Sequence, residues 1–273
     1  MMGNLIINSK VPTLNAQPKK EPTPWWLFLN VLALDAPVVA IVWQHFLAEN
    51  FKIEISITET ASLFFTVWFI YLLDHLFDSL KGFYTTQRHL FVARNQKTTI
   101  ALITFTFTTS ICLCFSLSKS LILGGIILVG FICIYLLLVH ANIANIKLRN
   151  NCKELLVGIG FGTGVALPVI ISNIEIKAWL PAVLLFCLLC WLNCRLIDIW
   201  ESNKNSLSKI DLMLILFIFY SMFICEKPIV FAAAITLICL ILVNKFAGSN
   251  KPRISRVLAD VSLLSPWILW VIA

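Results

Sequence analysis

Asp74 and Asp78 stand four residues apart at the end of an apolar run, Ala61 to Leu73, where carboxylates are out of place. On a helix that spacing puts both on one face, about one turn apart. Two such carboxylates can hold a hard divalent cation such as Mg2+, which takes one or two carboxylates and completes its octahedron with water and substrate phosphate. Lys81 and Arg88 follow. They suit the remaining phosphate oxygens, Lys as a point charge and Arg as a two-pronged fork. The competing reading is that the two Asp residues end the helix at the lipid headgroups, with Lys81, Arg88 and Arg94 as interfacial anchors.

A second constellation lies in Trp191 to Glu201, where Arg195, Asp198 and Glu201 recur every three residues and share about a third of a helix circumference. Asp198 can offer a carboxylate opposite Asp74 and Asp78, with Glu201 or Asn193 assisting. Arg195 either meets phosphate or pairs with Asp198 to finish the helix at the interface.

These groups need positioning by an unusually apolar chain. Of 273 residues, 59% are hydrophobic and 13% charged, and the mean hydropathy is +0.90; soluble domains run nearer 45–50% apolar and about 25% charged. A membrane protein is expected. The formal charge of +7 does not indicate nucleic acid, because the basic residues are scattered through short connectors without a stripe of aromatic stacking platforms. The nine Cys residues show no metal-finger spacing and sit mostly in apolar runs, as small packing residues do.

Residues 1–24 are polar and carry four Pro and three Lys without periodicity, so a disordered cytoplasmic tail is expected, with no cleaved signal peptide. From residue 25 to 273 the chain is read as one transmembrane helical domain. Nine segments approach the ~20 residues that a helix needs to cross a bilayer: 25–48, 60–80, 97–118, 121–141, 154–173, 178–201, 209–225, 228–246 and 256–273. The expected fold is thus an all-α membrane protein, a bundle of about nine transmembrane helices. Between segments, Lys and Arg concentrate on one side, and only Lys52, Lys119, Lys177 and Lys227 fall on the other. The positive-inside rule then puts the N-terminus in the cytoplasm and the C-terminus outside. Pro37, Pro168 and Pro266 are expected to kink their helices. Gly158, Gly160, Gly162 and Gly164 contain two overlapping GxxxG spacings, which let helices approach closely.

With this topology, Asn30, Asp74, Asp78, His140, Asp198, Glu201 and Asp260 all fall near the cytoplasmic ends of their segments. Ionisable groups at such depth are costly and face a bundle interior or a wet cavity. Asp35 lies deeper, and is read as either a structural hydrogen-bonding group or the floor of a cavity.

Over residues 25 to 273 the chain resembles the UbiA superfamily of intramembrane prenyltransferases. The likeness rests on nine segments, the carboxylate pair ending the second, an Arg-containing connector after it, a Lys-containing link before a Gly-rich fifth segment, and an acidic end to the sixth. It implies Mg2+-dependent transfer of a prenyl group from a polyprenyl diphosphate to an aromatic or other lipophilic acceptor within the bilayer. Asp74, Asp78 and Asp198 would be catalytic and metal-binding, with Glu201 as an irregular further ligand. Lys81, Arg88, Lys147 and Arg195 would meet the diphosphate, and Asn30, Tyr71 and Asn193 the substrate. Ile70 and Tyr71 stand where the family's first motif begins with Asn or Asn-Asp, and Cys194 and Ser202 flank Asp198 where further acids are usual. A weakened metal site follows. The alternatives are a non-catalytic lipid-binding or assembly protein of the same fold, and a small transporter, which would want internal repeats and midplane sites.

Overall fold

The computed structural model describes residues 27–80, 87–140, 146–202 and 209–272, and the side chains among them except those of 87–90, 135–140, 146–152 and 272. The proposed tail and Lys81 lie outside the described residues, as do the side chains of Arg88 and Lys147.

Among the described residues the regular structure is entirely helical, in thirteen α-helices and one 3-10 turn. The nine apolar segments correspond to α1 and α2 (Phe28–Val31, Asp35–Asn50), α3 (Ile57–Leu80), α5 (Gln96–Cys114), α6 (Lys119–His140), α7 and α8 (Ile146–Val165, Leu167–Ile170), α9 (Ile176–Ser202), α10 (Lys209–Ile224), α11 (Lys227–Phe246), and α12 and α13 (Pro252–Ser262, Ser265–Ile272). A short α4 (Gln87–Arg94) lies in the connector after α3. Four of these, α3, α5, α9 and α11, are long and apolar enough to cross a membrane, and α12 with α13 makes a fifth if the pair, bent by 52°, is one span. Large apolar side chains such as Phe223, Met213, Leu216 and Ile127 face outward from the protein. So much exposed apolar surface marks a membrane protein, since soluble monomers rarely show patches beyond a few hundred Å2.

The centre of the bundle is α9, with 67% of its apolar window buried against 22% for α3 and 17% for α5. Trp191, Phe186, Leu185 and Leu189 form its core face, and Phe186 stacks on Trp43 of α2 at 4.3 Å between ring centroids. Its closest partner is α7. A Cβ at Gly158 would come within 2.7 Å of the Cys187 carbonyl oxygen and the Trp191 nitrogen, and one at Gly162 within 2.9 Å of the Cys187 Cα. Of the two overlapping GxxxG spacings, Gly158 and Gly162 therefore form the contact with α9, whereas Gly160 and Gly164 face α6.

Three segments are broken, and each break precedes a proline. Pro37, Pro168 and Pro266 lie in the first turns of α2, α8 and α13, where the missing N–H has no helical partner to lose. At the first and last breaks, freed carbonyls are satisfied from other helices. The indole of Trp68 on α3 donates to the Leu32 carbonyl (2.8 Å), Trp43 on α2 donates to the Leu263 carbonyl (2.6 Å), and the Thr236 hydroxyl on α11 donates to the Ser262 carbonyl (3.0 Å).

The α7–α9 contact yields a test. Gly158→Ala should lower stability by about 1–3 kcal/mol, since the added methyl meets backbone, which cannot swing aside. Gly125→Ala, with nothing within 4 Å of its Cβ position, should leave stability equal or slightly higher through helix propensity. Thermal unfolding of the two variants in detergent checks the contrast.

Candidate functional site

The breaks in the first and last segments bring Asn30, Asp35 and Asp260 together. Asp35 opens α2, where its Oδ1 accepts the Ala36 backbone N–H at 2.9 Å and its charge suits the positive end of the helix. The Asn30 amide donates to Asp35 Oδ2 at 2.6 Å and reaches Asp260 Oδ2 at 3.4 Å, and the Asn193 amide of α9 donates to Asp260 Oδ1 at 2.9 Å. Two carboxamides thus tie two carboxylates from opposite ends of the chain. Of the two readings of Asp35, both hold: it is a hydrogen-bonding group and it lines a cavity.

That cavity has a volume of about 290 Å3. Asp74 and His75 line it from α3, Lys153 and Glu154 from α7, Asp198 and Glu201 from α9, and Arg256 and Asp260 from α12. The expectation that the ends of the second and sixth segments share a cavity is met by Asp74 and Asp198. Tyr71, Asn30 and Asn193 also line it, whereas Asp78 and Arg195 are not among its described lining residues. With Asp35, six acidic side chains face Lys153 and Arg256, so acids outnumber cations in the chamber.

Two of the acids are engaged by guanidinium groups. Arg195 directs Nε and one terminal nitrogen at Asp211 Oδ2 (3.2 and 3.0 Å) and the other at Asp198 Oδ2 (3.2 Å). The Arg195–Asp198 pair read as an alternative from the sequence therefore forms, with Asp211 of α10 as a further partner. Glu201 forms an ion pair with Arg256. Among the described residues no three His, Cys, Asp or Glu side chains group closely enough to hold a metal ion by themselves.

A second, larger chamber of about 460 Å3 lies alongside. Its walls are mostly apolar, from Val67 on α3, Ile111 on α5, Leu128 and Phe131 on α6 and Leu156 on α7, with Gln44, Glu59, Ser62 and Thr66 among the polar exceptions. Ile70, Tyr71, Val157 and Phe161 line both chambers and form the wall between them. The Tyr71 and Phe161 rings meet edge to face at 6.4 Å.

Sequence reasoning passed over Lys153, Glu154, Arg256 and Asp211. Arg256 and Asp260 are four apart, the spacing that identified Asp74 and Asp78, but the cation entered only the count of Lys and Arg that set the orientation. Asp211 follows a connector lysine and carried no signal of its own. Compared with known protein families, curated proteins and solved structures, the chain matches none.

The Arg195 network gives a stability test. Asp211 is buried at 5% exposure, so Arg195→Met removes the guanidinium partner of that buried carboxylate and should lower stability, while the double change Arg195→Met, Asp211→Leu should recover part of that loss. Unfolding midpoints of Arg195→Met, Asp211→Leu and the double variant decide it.

Proposed function

We propose that the protein is a UbiA-type prenyltransferase that binds a polyprenyl diphosphate as its Mg2+ complex in the acid-lined chamber. The prenyl group passes to a lipophilic acceptor held in the apolar chamber. The observation that carries this reading is the shared wall: a chamber fit for a charged leaving group and one fit for an apolar partner meet at Ile70, Tyr71, Val157 and Phe161.

The acidic excess bears on the cofactor. A bare diphosphate is poorly matched to a chamber where acids outnumber cations, and suits it better when cations accompany it. A Mg2+ ion needs one or two protein carboxylates and takes its other ligands from water and phosphate, so the lack of a three-ligand group among the described residues is compatible with it. Asp74 and Asp198 would hold the ion, with Asp78 and Glu201 as the further ligands of the full proposal. Bound there, Mg2+ supplies neutralising charge and Lewis acidity to the leaving diphosphate. Lys153 and Arg256, with Lys81, Arg88, Lys147 and Arg195 from the resemblance, would donate to phosphate oxygens. Asn30 and Asn193 would orient the head. Tyr71 and Phe161 would keep water from the allylic cation. The finer topology belongs to the same proposal: nine crossings, with a cytoplasmic Met1, an external Ala273 and the acid-lined chamber at the cytoplasmic face.

A second reading, non-catalytic lipid binding, draws support from the pairing of Arg195 with Asp211 and of Arg256 with Glu201, which sets guanidinium charge against protein acids instead of a ligand. Incorporation of a labelled prenyl group into membrane lipids separates the two. Under the transfer reading, Asp74→Ala and Asp198→Ala each reduce incorporation by about 100-fold or more, and added Mg2+ partly restores the weaker defect. If the intact protein binds neither Mg2+ nor any polyprenyl diphosphate, yet copurifies with lipid, the second reading replaces the first.

A further inference from the structure

Among the polar groups of the apolar chamber, Gln44 has a buried oxygen that a hydrocarbon would not answer. Gln44 of α2 lines the chamber and is 3% exposed, and its side-chain carbonyl oxygen has no hydrogen-bond partner. The other polar groups near it differ. Glu59 is held by the Ser56 amide and hydroxyl, and the Thr66 hydroxyl reaches Ser110 at 3.4 Å. A buried amide oxygen is costly until it is met by a donor.

Three kinds of donor can be weighed. A lone water wants two to four polar partners, and walls of Val67, Leu128, Phe131 and Leu156 offer few. A charged amine would lose its hydration in an apolar chamber whose carboxylate, Glu59, is already held by the Ser56 amide and hydroxyl. A neutral hydroxyl on a lipid brings the donor together with a body that fills the apolar volume. We infer that the apolar chamber is a binding site for a hydroxyl-bearing lipid, whose O–H donates to the Gln44 carboxamide oxygen. Under the transfer reading this lipid is the acceptor, and the inference rests on that reading only for the word. Gln44 is then a positioning residue. By the helix rise it lies about 7.5 Å along α2 from Val39, which lines the acid chamber.

The test uses the full chain in lipid nanodiscs and a hexadecanol carrying a photoreactive group on its chain, compared with its methyl ether. The alcohol should label the protein about tenfold more than the ether, the value of one hydrogen bond to a buried acceptor. Unlabelled hexadecanol should compete, and Gln44→Met, of similar shape, should make the two probes equal. Equal labelling of the native protein by both probes overturns the inference, as does a preference that survives in a folded Gln44→Met variant. Should that variant fail to fold, by its Trp fluorescence, the native alcohol-to-ether ratio decides alone. Binding of Mg2+ and a polyprenyl diphosphate is measured in parallel. Its loss with the alcohol preference intact sinks the transfer reading and leaves this one standing.

Discussion

Away from water, a backbone carbonyl released from a helix must find a donor, and this constraint decides where the chain can bend. In lipid an unsatisfied group costs several kcal/mol. Two of the breaks here are closed by indole N–H groups and a third carbonyl by a threonine hydroxyl, all from other helices: Trp68 on Leu32, Trp43 on Leu263, Thr236 on Ser262. Each bond both satisfies the break and ties two helices together. Without a break at Ala33, which takes a left-handed φ of 56°, Asn30 and Asp35 would continue one helix and could not both reach the partners they have. The polar cluster is a product of the bends.

Charge is handled by the same economy. The acids outnumber the cations facing the chamber, and the two guanidinium groups nearest α9 are used to hold helices in register: Arg195 joins α9 to α10, and Arg256 joins α12 to α9. The amides of Asn30 and Asn193 do for Asp35 and Asp260 what cations do elsewhere.

Much of this architecture was legible. Apolar runs cannot be hidden in a sequence, and each of the nine read from it is a helix or a broken pair of helices. Pairs spaced by four residues could be found too, which is why Asp74 was picked out and why Gly158 and Gly162 were expected at a close contact. Partnerships across the bundle left no local trace. Asp211 sits 16 residues after Arg195, and Asp260 lies 230 after Asn30. A kink in the first segment was expected from Pro37, but its place at Ala33 was not legible, because alanine is a good helix former. Gln44 was missed because one amide inside an apolar run reads as noise until the space beside it is seen.

The joining of the first segment to the last has a consequence for how the protein is made. Asn30, Trp43 and Glu49 find Asp260, the Leu263 carbonyl and Trp270 only after almost the entire chain has left the ribosome. Until then Asp35 has the Asn30 amide as its side-chain partner, and the early helices wait in the bilayer with the remaining polar groups unanswered. A nascent chain stalled before residue 256 would therefore be a substrate for membrane quality control, and chaperones that shield intramembrane polar residues would act on this protein throughout its synthesis.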